Sequence, residues 1–170
     1  MHTSRRTALL GLASASLLYS PHPALAAPVR EITWDDLIPP GVPYSEIVGE
    51  GEYDEQNDTW LPKFDQNAFK FAEALNGVTI KMPGYMLPLE TGGNGVTEFI
   101  LTPYVGACIH VPPPPPNQLV FVTSARPWPA ESMFEAVWVT GTIRVNPIRT
   151  SLAEIGYDMT ANAIEVYEWE

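Results

Sequence analysis

Cys108 and His110 stand two residues apart and are the only cysteine and the only histidine beyond residue 26. On an extended segment alternate side chains point the same way, so both face one side with Ile109 opposite. A thiolate beside an imidazole is a donor pair for Zn²⁺, Cu²⁺ or Cu⁺. Two donors are too few for a closed zinc site, which takes four. A carboxylate such as Glu90 or Glu98 would add to them, and a second copy of the chain would give Cys₂His₂ across a two-fold axis. For Cu⁺, Met82, Met86 or Met159 would add thioether sulfur. The same pair is also the nucleophile and base of a cysteine enzyme, given hydrogen-bond reach and a third group to orient the imidazole. Their Cα atoms would lie about 6.5–7 Å apart, and no acid is placed by sequence to orient His110. The plainer alternative is a buried cysteine packing as a small hydrophobe beside a hydrogen-bonded histidine.

The segment that carries this pair is bounded by prolines. Pro103-Tyr104 opens it, and Pro112 to Pro116 follow Val111, ahead of Asn117-Gln118. Five prolines favour polyproline II at about 3.1 Å per residue, a rigid spacer of about 15 Å. The spacer reads as a stiff surface loop that fixes the chain directly after His110. A partner-docking module would use this run together with the aromatics Trp128 and Trp138.

Around it, period-two alternation dominates. Val78, Ile80 and Met82 share one face, and Tyr85, Leu87 and Leu89 continue after Pro83-Gly84, which reads as a bend or bulge. The tract Thr91 to Gly95 is a turn. Glu98–Tyr104, Leu119–Thr123, Val137–Val145 and Ile155–Val166 read as further strands. Ahead of them, Phe64, Ala68, Phe71, Ala72 and Leu75 recur at helical spacing, which predicts a helix over Phe64–Asn76, capped by Asp65 and stopped by Gly77. Residues 27–62 read as irregular, with one helical turn at Trp34–Ile38 before Pro39-Pro40. Within them Glu46–Asp58 holds six acidic and no basic residues; lacking the ligand order of a calcium loop, it reads as a solvated loop. The division expected is residues 1–26, 27–62 and a β-rich domain over 63–170. That domain is mainly β: a small antiparallel OB-like barrel with one preceding helix, or else a β-sandwich.

The first 26 residues read as an address. Ser4-Arg5-Arg6-Thr7 precedes an apolar stretch from Ala8 to Leu18, and Ala24-Leu25-Ala26 offers a small-residue cleavage site. The paired arginines suggest the twin-arginine route, which carries folded proteins, although Ala8 stands where phenylalanine is favoured. Cleavage after Ala26 would leave a periplasmic chain. The whole sequence has 170 residues with 9 basic and 20 acidic side chains, a formal −11. Losing Arg5 and Arg6 with the leader makes that −13, a charge that repels phosphate backbones and argues against nucleic-acid binding. One cysteine excludes an intrachain disulfide, so the core must hold the fold. No apolar run reaches the roughly 18 residues of a membrane span. Gly92-Gly93-Asn94-Gly95 lacks the lysine and helix of a phosphate loop, and no serine motif accompanies His110.

Gly84-Tyr85…Pro88-Leu89, then Pro103-Tyr104…Gly106-Ala107-Cys108-Ile109-His110…Pro113-Pro114-Pro115-Pro116-Asn117-Gln118, resembles the signature of an exported bacterial family built on a domain of unknown function. The resemblance covers Gly77 to Glu168, and the Cys-x-His segment is its most specific part. It implies a periplasmic protein or lipoprotein encoded near ABC-type transport components, the soluble form here because no lipobox cysteine ends the leader. It also implies that Cys108, His110 and Asn117 belong to one recurring site. The expected function is therefore a soluble periplasmic accessory or binding protein that handles zinc or copper for an ABC-type transport component, more a binding protein than an enzyme.

Overall fold

The computed structural model describes residues 28–56, 58–89, 95–107 and 112–168. The expected leader, Glu90, most of the Thr91–Gly95 turn, Cys108 and His110 lie outside the described residues. Eight strands are described: β1 (Arg30–Glu31), β2 (Glu52–Asp54), β3 (Thr59–Leu61), β4 (Val78–Pro88), β5 (Val96–Thr102), β6 (Val120–Trp128), β7 (Glu135–Arg149) and β8 (Glu154–Val166). Six of them form one sheet in the order β1-β4-β5-β6-β8-β7, and β4 also pairs with β7. Each of β5, β6, β8 and β7 therefore has two strand neighbours, and β4 has three, β1 included. All these pairings are antiparallel except β6 with β8, and β1 adds to β4 in parallel. The fold is mainly β.

Alternation decides which side chains meet inside. Ile80, Met82 and Met86 of β4, Phe99 and Leu101 of β5, Val120 and Val122 of β6, Val137, Val139 and Ile143 of β7, and Tyr157 and Met159 of β8 make the main core. Met82, Met86 and Met159 are all buried there, which places their thioethers among hydrocarbon. A second cluster joins Leu87, Ile100, Leu119 and Ile155 to Ala107 and Ala153, with Leu87 and Ile100 on the strand faces opposite Met86 and Leu101.

Three sequence expectations change. β4 runs unbroken through Pro83-Gly84, with Pro83 opposite Trp138 and Gly84 opposite Val137. The acidic stretch is not wholly loop, because β2 and β3 pair as a small two-stranded sheet. The helix expected over Phe64–Asn76 is absent: two short 3₁₀ turns, Gln66–Phe69 and Glu73–Leu75, stand there, separated by extended backbone at Lys70. The apolar positions were read correctly, since Ala68, Ala72 and Leu75 are buried. What defeats the helix is competition for its backbone groups. The Asn117 side-chain amide donates to the carbonyls of Asn67 and Lys70, and the Ala72 N–H donates to the Tyr157 hydroxyl. Tertiary partners thus take groups that an α-helix would pair internally. Asp65 does cap the first turn, accepting from the Asn67 N–H at 2.8 Å, and the turn expected before Pro39-Pro40 is present at Trp34–Leu37.

Candidate functional site

Cys108 to Val111 lie outside the described residues; the chain on both sides of them is anchored by hydrogen bonds and packing. β5 ends at Thr102, whose hydroxyl is shared between the carbonyls of Tyr85 at 3.3 Å and Tyr104 at 3.0 Å. Ala107, the residue before Cys108, is fully buried in the second hydrophobic cluster with Leu87 and Ile100. Across the gap, Tyr104 donates its hydroxyl to the carbonyl of Pro112 at 3.1 Å. Then the chain goes inside: Pro112 is exposed, but Pro113 to Gln118 are all buried. The proline run is therefore not the stiff surface loop expected from sequence. Proline has no N–H to satisfy, so burying a proline run leaves only carbonyls to pair. Pro115 keeps polyproline II geometry at φ −61°, ψ 153°.

The proposed further ligands fall into two groups. Glu98 is exposed on β5, two residues from Ile100 and hence on the face where Ala107 packs. Its carbonyl accepts from the N–H of Leu89, the residue before Glu90, at 3.1 Å. Glu98 thus lies on the Ala107 face, and its backbone pairs with the residue that leads into Glu90. Asn117 has a different task. It is fully buried, and its amide nitrogen is committed to Asn67 at 2.9 Å and Lys70 at 3.2 Å. Its Oδ1 has no hydrogen-bond partner among the described residues. Met82, Met86 and Met159 belong to the main core and are withdrawn as metal donors. Among the described residues, no three His, Cys, Asp or Glu side chains gather closely enough to hold an ion.

Sequence reasoning missed the polar clamp beside this segment. Gln118, buried next to Asn117, donates its side-chain amide to the Trp34 carbonyl at 3.0 Å. The Tyr157 hydroxyl donates to the Leu37 carbonyl at 2.6 Å and accepts from the Ala72 N–H at 2.7 Å. Burial pushes its pKa up to about 12, with Glu73 adding to the rise and the Ala72 N–H opposing it. Phe71 meets the Tyr157 ring edge-on, centroids 5.6 Å apart. These contacts fasten residues 34–37 and 66–75 to the sheet next to the proline run. A signal was present in Gly156-Tyr157: a Cβ at Gly156 would come within 2.7 Å of the Pro116 carbonyl oxygen and collide with the Phe71 ring.

The sequence profile of a protein family described as "Protein of unknown function (DUF3299)" matches residues 34–166. The chain belongs to the DUF3299 family. Among solved structures it resembles a DUF3299 family protein (PA4066) from Pseudomonas aeruginosa PAO1, with 36% identity over 85% of this chain and 99% of that one and a TM-score of 0.67. An OBody, AM3L09, bound to hen egg-white lysozyme aligns with 12% identity over 55% of this chain and 85% of that one, at a TM-score of only 0.36. No curated protein sequence matches the chain. Among the described residues no helix is long and apolar enough to cross a membrane.

Proposed function

We propose that this DUF3299 member is a soluble periplasmic accessory protein that binds a transition metal through Cys108 and His110 for an ABC-type transport component. The observation that carries the reading is the pinning of the chain around those residues. Ala107 is locked into a hydrophobic cluster, Pro113 onward is buried, and the Tyr104 hydroxyl ties the two ends together at Pro112. Fixed anchors on both sides of a ligand pair reduce the ordering cost of binding an ion there. Thiolate and imidazole are suitable first donors, and Glu98, with Glu90 beyond the Leu89–Glu98 pairing, offers carboxylate. With the methionines in the core, Cu⁺ loses its thioether donors, and sulfur, nitrogen and carboxylate oxygen together favour Zn²⁺. A second copy remains the other source of ligands, as Cys₂His₂ across a two-fold axis.

The scaffold in this reading is an OB-like barrel. What supports it is the cyclic order β4-β5-β6-β8-β7-β4, with β6 and β8 as the parallel pair. The periplasmic location rests on the leader read from Arg5-Arg6 to Ala24-Leu25-Ala26, and the transport partner on the family resemblance. A competition titration of Zn²⁺ against a chromophoric chelator tests the metal reading. One equivalent should bind tightly at about pH 7.5 and release on acidification to about pH 5.5, where thiolate and neutral imidazole are both disfavoured. Equal binding by wild type and Cys108→Ala would refute it.

A further inference from the structure

The geometry points to a second interaction surface, a cleft that docks a basic, proline-rich segment of a partner protein in polyproline II form. The cleft is lined by Trp34, Pro83, Gly84, Tyr85, Pro103 and Tyr167 and has a volume of about 180 Å³. It belongs to the Trp34–Leu37 turn, β4, the chain just past β5 and the chain just past β8, and its residues are not those of the proposed metal site.

Its size rules against an enclosed small ligand, whose pockets usually measure about 300–1,000 Å³. A shallow trough walled by aromatic and proline rings suits one or two side chains of a longer ligand lying across the surface. Aromatic-lined grooves of this kind recognise polyproline II segments, which arrive already extended and lose little entropy on docking.

The walls are built to stay put. A Cβ at Gly84 would come within 2.8 Å of Trp34 Cζ2 and 2.7 Å of Leu101 Cγ, so the missing side chain is what lets the indole lie across β4. Gln118 holds the Trp34 carbonyl, and Thr33 and Asp36 cap the turn that carries the indole. On the far wall Tyr167 stacks on Trp138 at 5.3 Å, and its N–H bonds the Ala136 carbonyl at 3.0 Å. Lys81 sits 5.2 Å over the Trp138 ring and pairs with Glu165 at 2.7 Å.

Charge sets the sign of the partner. Tyr167 is followed by Glu168, which is exposed. Lys81, the basic side chain packed nearby on β4, is already paired. The exposed carboxylate of Glu168, next along the chain from the Tyr167 wall, and a formal charge of −11 favour arginine or lysine flanking the prolines.

The probe is a fluorescein-labelled decaproline with two arginines at each end, titrated against the full chain by fluorescence polarisation. Saturable binding in the micromolar range is expected. Tyr167→Ala should weaken it about tenfold, because a docking aromatic at such a surface behaves as an anchor. Replacing the arginines by glutamates should weaken it at least about fivefold. Amide chemical shifts of Gly84, Tyr85 and Ala136 should move with the same peptide, which locates binding without any substitution. The proposal is overturned by a peptide that does not saturate, by equal binding to Tyr167→Ala, or by shift changes confined elsewhere. It is equally overturned if the cleft instead takes an oligosaccharide such as cellohexaose, or closes a dimer that Tyr167→Ala dissociates, while the proline peptide stays unbound.

Discussion

Replacing Tyr157 by Phe removes one oxygen and should loosen the whole N-terminal half of the clamp. The ring would remain, with its edge-on contact to Phe71. What disappears is the hydroxyl that donates to the Leu37 carbonyl at 2.6 Å and accepts from the Ala72 N–H at 2.7 Å. Leu37 is fully buried and Ala72 nearly so, so both backbone groups would be left without a partner. An orphaned buried group costs about 1–3 kcal/mol, which makes a loss of about 2–6 kcal/mol the expectation for the pair. That is a large part of the roughly 5–15 kcal/mol that holds a domain of this kind. Urea unfolding followed by far-ultraviolet circular dichroism reads it as a lower midpoint at unchanged slope. Absorbance titration gives an independent check. The hydroxyl ionises near pH 12 when folded against an ordinary 10.0. A folded-state pKa raised in this way gives stability that is complete below pH 10 and lost as pH rises toward 12. The variant should lack both the late-titrating tyrosine and that alkaline loss. A destabilisation under about 0.5 kcal/mol would refute the clamp, since ordinary surface changes do as much.

Gly156→Ala should lower stability by about 1–3 kcal/mol, the range for forcing an atom into a packed site, and a thermal melt equal to wild type would contradict the Phe71–Pro116 packing. Acid should loosen the same region. The Thr33 N–H, backed by the Thr33 hydroxyl and Arg30, holds the Asp36 carboxyl below its ordinary 3.8, and the Ser45 hydroxyl, backed by backbone N–H groups, does the same for Asp65. Lowered folded-state values mean stability present above the ordinary value and lost as pH falls through the folded one. Hydrogen-exchange protection at residues 34–37 and 66–69 should therefore fall below about pH 4, and Asp65→Asn should flatten that response. Mass spectrometry of periplasmic protein should find Ala27 at the N-terminus, and changing Arg5 and Arg6 to Lys should abolish export by the twin-arginine route. A retained leader on the functional protein would remove the localisation.

Strand alternation made most of the core legible: Val137, Val139 and Ile143, and Ile155, Tyr157 and Met159, are buried as period two requires. Neighbours were less legible, because a strand's own pattern fixes its faces and not its partners. The parallel β6–β8 pairing forms across β7, the intervening strand in sequence. The false helix over residues 64–76 had the right apolar face and the wrong backbone, because Asn117 and Tyr157, 41 or more residues further along the chain, supply its hydrogen bonds. The proline run hid its burial, since nothing local told a spacer from a strap whose end is tied through Asn117 to Asn67 and Lys70. Asn117 came from the family resemblance and not from any local pattern; its amide clamps Asn67 and Lys70. The cleft of Trp34, Tyr85 and Tyr167 draws on three distant stretches of chain, so no single stretch of sequence announces it.

Metal content decides the central proposal. Protein isolated from the periplasm without chelators should carry zinc at close to one equivalent per site by inductively coupled plasma mass spectrometry, with one sulfur and one imidazole nitrogen in its X-ray absorption spectrum, or two of each if two copies share the ion. Cys108→Ala and His110→Ala should each lose most of the metal while keeping the urea midpoint of metal-free wild type, and the double variant should lose little more. Wild-type protein without zinc or copper above background, or single variants with wild-type metal content, would contradict the account.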